Sequence, residues 1–317
     1  MFATLRQWAE FVKISHTVFA LPFALAAMAV AAREQRGWPG ARVFGLILLA
    51  MVGARTCAMA FNRIVDRRFD AQNPRTATRH LPTGQITLAS ATTLAVLGAV
   101  ALVVASYFLN PLCFRLSPVA LVVVCFYSLT KRFTDYTHVF LGVALALAPV
   151  GAWLAVKGEF GFAPLAEVVA GKISWLDWLI YAGTGVQPLL LAGAVVFWLI
   201  GFDIIYAIQD YEFDRTHGLH SLVVAWGPAN ALKAAFLAHM LMWGVLAGFG
   251  FVAKFRIAYF FGLLIILVCL VLEHWLARRR SLNWITNAFF RLNGLISVVF
   301  LVVTVAEVVL PGFRLVR

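Results

Sequence analysis

Acidic side chains are scarce in this chain: 14 Asp and Glu stand against 26 Lys and Arg in 317 residues, and charged residues make up only 13%. A soluble domain carries about twice that share, so an ordinary globular protein is excluded. Cysteine is sparse too. The four thiols (Cys57, Cys113, Cys125, Cys269) lack ligand-like spacing, which removes disulfide scaffolds and zinc modules from consideration. The seven His show no HxxxH or HExxH pairing. The N-terminal MFATLRQWAEFVKISHTVFALPFAL lacks the layout of a cleaved signal, because a Pro interrupts its apolar run and no clear small-residue cleavage site follows. With no linker or low-complexity tract, one domain over 1–317 is expected.

What the chain has in abundance is apolar sequence, 62% of its residues. Crossing a bilayer takes about 20 such residues as a helix. Runs of this kind fall at about 15–32, 43–61, 87–109, 115–130, 138–156, 187–209, 230–253, 256–276 and 290–310. The expected fold is therefore all-α, a bundle of nine transmembrane helices. The first ten or so residues, with Phe2, Leu5, Trp8 and Phe11 on one side, suit an interfacial helix. Trp175, Trp178 and Tyr181 suggest another in the long connection 157–186. Placing the N-terminus inside puts fifteen Lys and Arg on the cytoplasmic side and ten outside, with Arg55 within a span. A cell inner membrane location with the site facing the cytoplasm follows. The net charge of +12 is accounted for by anionic lipid and an anionic substrate, without nucleic acid, and nothing calls for an obligatory protein partner.

Six of the 14 acids fall in two places: Asp66 and Asp70, then Asp203, Asp210, Glu212 and Asp214. The first cluster ends the second span and the other ends the sixth. Spans of even number run in one direction, so both clusters lie on one membrane face. Asn62, Asp66 and Asp70 are spaced by four, as are Tyr206, Asp210 and Asp214, and on a continuing helix each set forms a stripe. Hard cations such as Mg2+ take carboxylate oxygens and share their remaining coordination with water and phosphate. Two such stripes facing across a cavity suit one or two ions. An ion-coupled transporter would also gather carboxylates, but near the midplane in broken helices; here they lie at helix ends beside Arg and Lys.

Asn62-x3-Asp66-x3-Asp70 followed by NPRTATRHLPTG resembles the first signature of the UbiA superfamily of intramembrane prenyltransferases. DIIYAIQDYEFDRTHGLHS resembles the second, and YSLTKRFT (Tyr127 to Thr134) the basic turn between the fourth and fifth spans. KISHTVFALPFAL and ARTCAMAFNRIVDRRFDAQNPRT look most like the 4-hydroxybenzoate polyprenyltransferase branch, which also includes menaquinone-pathway members.

The resemblance implies a UbiA-like fold and transfer of a polyprenyl group from its diphosphate to a ring carbon of an aromatic acid. The acceptor would be 4-hydroxybenzoate in ubiquinone synthesis or 1,4-dihydroxy-6-naphthoate in menaquinone synthesis. It implies Mg2+ held by Asn62, Asp66, Asp70, Asp210 and Asp214. Lys131 would touch the diphosphate, with Arg67, Arg132 and Tyr206 as helpers. Asp66, Asp70, Asp203, Asp210 and Lys131 form the expected catalytic set, and the ring proton is expected to pass to a carboxylate, with Asp203 the choice, or to the released diphosphate. Arg55, seven residues before Asn62, is expected deeper in the same cavity to meet the acceptor carboxylate, with Lys13 its rival. One departure stands out: His220 occupies the place where many relatives have Lys. The NPRTATRHLPTG segment reads as a loop, a lid whose Arg75 and Arg79 are drawn to phosphates.

Overall fold

A computed structural model describes residues 2–13, 17–161, 174, 185–278 and 288–310. Among these, helices α1 (Phe2–Phe11), α2 (Thr17–Ala31), α3 (Ala41–Gln72), α4 (Leu88–Leu109), α5 (Pro111–Phe126) and α6 (Thr137–Lys157) form the first part of the bundle. They are followed by α7 (Val186–Ala207), α8 (Tyr211–Thr216), α9 (Leu222–Val252), α10 (Ile257–Ala277) and α11 (Phe290–Val309). Eight helical segments are long and apolar enough to cross a membrane, and the apolar helix Phe19–Ala31 is shorter. Over the described residues the nine expected spans are thus helical, and the chain is a multi-pass membrane protein. The amphipathic α1 is present as expected. Trp175, Trp178 and Tyr181 lie outside the described residues.

Local chemistry explains the boundaries. Asn110 caps α5 by accepting the Cys113 N–H at 2.9 Å, with Pro111 in the first turn where its missing donor costs nothing. Ser221 caps α9 in the same way through the Val224 N–H, at 3.2 Å. Gly158 ends α6 in the left-handed region at φ 73°. Two helices differ from the sequence expectation. The second span runs on to Gln72, well past its apolar part: Arg63 and Asp70 of its last turns are buried among partners while Arg67 and Arg68 face outward. The seventh starts at Leu222, and a kink at Gly227 (φ 74°, followed by Pro228) separates its first turn from the apolar run.

The core lies between α2, α6, α7, α9, α10 and α11. Phe23 stacks on Phe300 with centroids 4.6 Å apart, and Trp153 and Trp198 are almost fully buried beside them. Where α3 crosses α4, Gly53 and Gly98 meet. A Cβ on Gly98 would stand 2.6 Å from the Cys57 amide nitrogen, closer than side chains are found. This close crossing packs α3, which carries the first acidic stripe, firmly against α4.

Candidate active site

At one end of the bundle a cavity of about 290 Å3 is lined by Asn62, Asp66, Asp70, Asp203, Tyr206, Asp210, Asp214 and Lys131, among others. Both acidic stripes therefore face one space, as their parity requires. The first stripe lies on uninterrupted α-helix. The second does not. α7 ends at Ala207, a 3-10 turn spans Ile208–Asp210, and α8 resumes at Tyr211, so Asp210 and Asp214 reach the cavity through a tightened turn rather than a simple four-residue repeat.

Each acid of the two stripes has a cationic partner. Arg132 donates to Asp66 at 3.1 Å and Arg79 to Asp70 at 2.6 Å, while Lys131 donates to Asp214 at 3.2 Å. Asp210 accepts from Asn73 Nδ2 at 3.0 Å, from Arg75 Nε at 2.8 Å and from a second Arg75 nitrogen. Arg75 also donates to the Tyr206 hydroxyl at 2.9 Å and lies over its ring. Burial opposes the Arg75 charge, but the hydrogen bond and charge of Asp210 outweigh it and raise its pKa.

The segment after α3 supplies Asn73, Arg75 and Arg79. The Asn73 side-chain oxygen accepts the Arg75 N–H at 2.9 Å, an Asx turn that reverses the chain. The Thr76 hydroxyl donates to the Asp70 carbonyl at 3.0 Å. The segment is a loop, as the sequence suggested, and it spans the two acidic stripes, its arginines engaged by the carboxylates themselves.

The other expected residues divide. Lys131, Arg132 and Tyr206 line the cavity; Arg67 is exposed on α3 and does not. His220 stays out as well. Its imidazole pairs with Asp135 at 3.0 Å, and its backbone N–H donates to the Lys131 carbonyl at 2.7 Å, so it braces the basic turn Tyr127–Arg132. Lys13 lines the cavity, with its pKa lowered by burial and by Arg63 and Arg79. Arg55 does not share that space. It lines a second, mostly apolar cavity of about 360 Å3, and its Nη2 donates to the Lys13 carbonyl at 2.9 Å. Its buried Nε has no hydrogen-bond partner. Arg55 is one turn from Met59, and Met59 and Tyr127 line both cavities, so Arg55 stands near the junction. From there the second cavity extends along α3 past Met51 and Ile47 toward Leu109 and Phe160.

Two participants escaped the sequence reading. Arg63 is buried, lines the cavity and lies 4.0 Å from Asp70; its spacing of seven from Asp70 was the available signal. His138 contacts Asp203 at 2.7 Å, a contact between helices 65 residues apart that no local pattern announces.

The donors around the cavity suit a hard divalent cation. Carboxylate and amide oxygens line it without Cys or His, and Asp70 Oδ2 is buried with no hydrogen-bond partner. Among the described residues, no three His, Cys, Asp or Glu converge tightly enough to hold a metal by themselves. An ion here would therefore draw part of its coordination from water or ligand oxygens.

A membrane-embedded bundle with a charged cavity beside an apolar one suits amphiphilic anions. The chain belongs to the UbiA prenyltransferase family, whose model matches residues 20–295, and it is a polyprenyltransferase. It is 28% identical over 264 residues to a 4-hydroxybenzoate octaprenyltransferase of Tolumonas auensis, covering 82% of this chain and 84% of that one. It is 29% identical over 277 residues to the enzyme of the same name from Aromatoleum aromaticum, covering 87% and 85%. In structure it is similar to a UbiA homolog from Aeropyrum pernix, with a TM-score of 0.76, 28% identity and coverage of 93% and 98%. It also shares the fold of a UbiA homolog from Archaeoglobus fulgidus bound to GPP and Mg2+, with a TM-score of 0.69, 20% identity and coverage of 96% and 99%.

Proposed function

We propose that this chain, a single domain, transfers a polyprenyl group from polyprenyl diphosphate to the ring carbon beside the hydroxyl of 4-hydroxybenzoate, in ubiquinone synthesis. The observation that carries this reading is the adjacency of the two cavities, which share Met59 and Tyr127 in their linings, charged on one side and apolar on the other. The diphosphate occupies the charged cavity and the prenyl tail the apolar one. Relatives named for 4-hydroxybenzoate support the acceptor, and the Archaeoglobus structure holding GPP and Mg2+ supports the donor class and the metal.

Asn62, Asp66, Asp70, Asp210 and Asp214 would hold Mg2+, which when bound neutralises charge on the leaving diphosphate. Lys131, Arg75, Arg79 and Arg132 add positive charge around the same group, already oriented by their carboxylate partners. The ring of Tyr127, at the junction, faces positive charge on the allylic carbon favourably. Arg55, through its unpaired Nε, takes the acceptor carboxylate. The cytoplasmic excess of Lys and Arg supports a cell inner membrane location with the N-terminus and site facing the cytoplasm.

The test supplies membranes expressing the chain with a polyprenyl diphosphate and either 4-hydroxybenzoate or 1,4-dihydroxy-6-naphthoate, each with Mg2+ or EDTA. Mg2+-dependent prenylation of 4-hydroxybenzoate is expected. Product from the naphthoate alone moves the chain to menaquinone synthesis, and no product from either overturns the acceptor class.

A further inference from the structure

Five Asp line the charged cavity, and four of them are held by permanent cations: Asp66 by Arg132, Asp70 by Arg79, Asp210 by Arg75 and Asp214 by Lys131. Asp203 is the exception. Its partner is His138, whose Nδ1 lies 2.7 Å from Asp203 Oδ2. A direct ion pair weakens a carboxylate as a base; Lys131 acts on Asp203 only through space, and the imidazole N–H is what orients it.

The surroundings of His138 sharpen the point. It is the second residue of α6 and 0% exposed, and its other ring nitrogen, Nε2, is buried with no hydrogen-bond partner. Facing a carboxylate, Nδ1 carries the proton and donates it, which leaves Nε2 a bare lone pair. An apolar side chain would fill that place without an unpaired polar atom. The imidazole therefore serves the bond to Asp203. The preceding residue, Thr137, shares a 2.6 Å hydroxyl bond with Thr130 in the basic turn. Two consecutive residues of α6 thus anchor the turn bearing Lys131 and the carboxylate of Asp203. The bond to His138 occupies Oδ2 and leaves Oδ1 to accept from a ligand.

We propose that His138 is the positioning residue for Asp203, and that Asp203 takes the proton released when the aromatic ring is prenylated. This rests on the function proposed above. A pair of ring π electrons forms the new bond to the allylic carbon, whose bond to diphosphate oxygen breaks with its electrons leaving on the diphosphate. The ring C–H at the attacked carbon then breaks, its electron pair restores aromaticity, and the proton passes to Asp203 Oδ1. His138 keeps its Nδ1 proton throughout. Asp203 returns the proton to water as product leaves.

The experiment compares purified wild type, H138A, H138N, H138Q, D203N and the D203N/H138A double variant in detergent. The acceptor is supplied with hydrogen or deuterium at the carbons beside its hydroxyl. Loss of a positioned proton acceptor is expected to lower kcat about 100-fold in H138A, with the donor KM little changed and a primary deuterium isotope effect larger than in wild type. H138N places an amide N–H near the site of Nδ1 and is expected to recover most of the loss; H138Q places its donor near Nε2 and is not. This contrast carries the test if H138A fails to fold. Adding H138A to D203N should cost nothing further. Wild-type turnover with an unaffected H138A, an equal loss in H138N and H138Q, or a full additional loss in the double variant overturns this assignment alone. Wild type without product from either acceptor overturns the function reading and this inference with it.

Discussion

Replacing Arg75 by Met should lower the stability of the ligand-free protein and strengthen its response to Mg2+. Arg75 places two nitrogens on Asp210 and a third on the Tyr206 hydroxyl. Net gains from hydrogen bonds to charged groups run to about 1.5–3 kcal/mol each. Only Asp210 is well buried, with a side-chain exposure of 9% against 31% for Arg75, so solvent screening takes a large part of that sum. About 2 kcal/mol remains, and Met preserves most of the apolar stem contact. At roughly 2 °C per kcal/mol for a chain of this size, the melting temperature in detergent should fall about 4 °C. On the proposed metal site an ion and Arg75 would compete for the same carboxylate, so adding Mg2+ should raise the melting temperature more in R75M than in wild type. D210N removes the shared partner and should abolish the difference. Equal melting of R75M and wild type without Mg2+, with an equal rise on adding it, would refute the idea that Arg75 holds the metal carboxylates in reserve.

Other outcomes follow from the same geometry. Asp66→Ala and Asp210→Ala should each reduce prenyl transfer by at least about 1000-fold in membranes, since each removes a charge from preorganised electrostatics, while the protein remains extractable and monodisperse; full activity in both would sink the metal site. Arg55→Lys should raise the acceptor KM about tenfold with the donor KM unchanged, because an ammonium lacks the planar fork; steady-state kinetics with each substrate varied decides it. Gly98→Val should cut the yield of folded protein sharply, because its Cβ collides with backbone of α3; size-exclusion recovery after detergent extraction measures this, and normal recovery would show that the α3–α4 crossing can open.

How much of this was legible in the sequence depended on whether the relevant interaction was local. The four-residue spacing of Asn62, Asp66 and Asp70 carries over because α3 stays regular to Gln72. The same spacing in Tyr206, Asp210 and Asp214 spans a 3-10 turn that no composition signal announces. Pro74, Pro82 and Gly84 marked the connecting loop. Arg75 meets Asp210 across 135 residues of sequence, and Arg79 meets Asp70 because the loop after α3 folds back on it; neither pairing is encoded in the spacing of the linear chain. Arg55 was placed on the correct helix and near the correct residues, yet beyond the Met59–Tyr127 junction rather than within the charged cavity. Asn293 shows the same limit inside the bilayer: in an apolar run it looks like an isolated polar residue, but it accepts from Trp198 at 2.7 Å and donates to the buried Glu273 at 3.2 Å.

The shared wall of Met59 and Tyr127 acts as a phase boundary within the protein. Turning a charged-headed, greasy-tailed molecule end for end would strand its anion among side chains such as Met51, Ile47 and Leu109, at a cost of many kcal/mol. Solvation therefore favours the registry that keeps the anion in the charged cavity. On the proposed function, the atom joining tail to head would come to rest at the boundary whatever the length of the tail, so one geometry at Tyr127 would serve an entire homologous series.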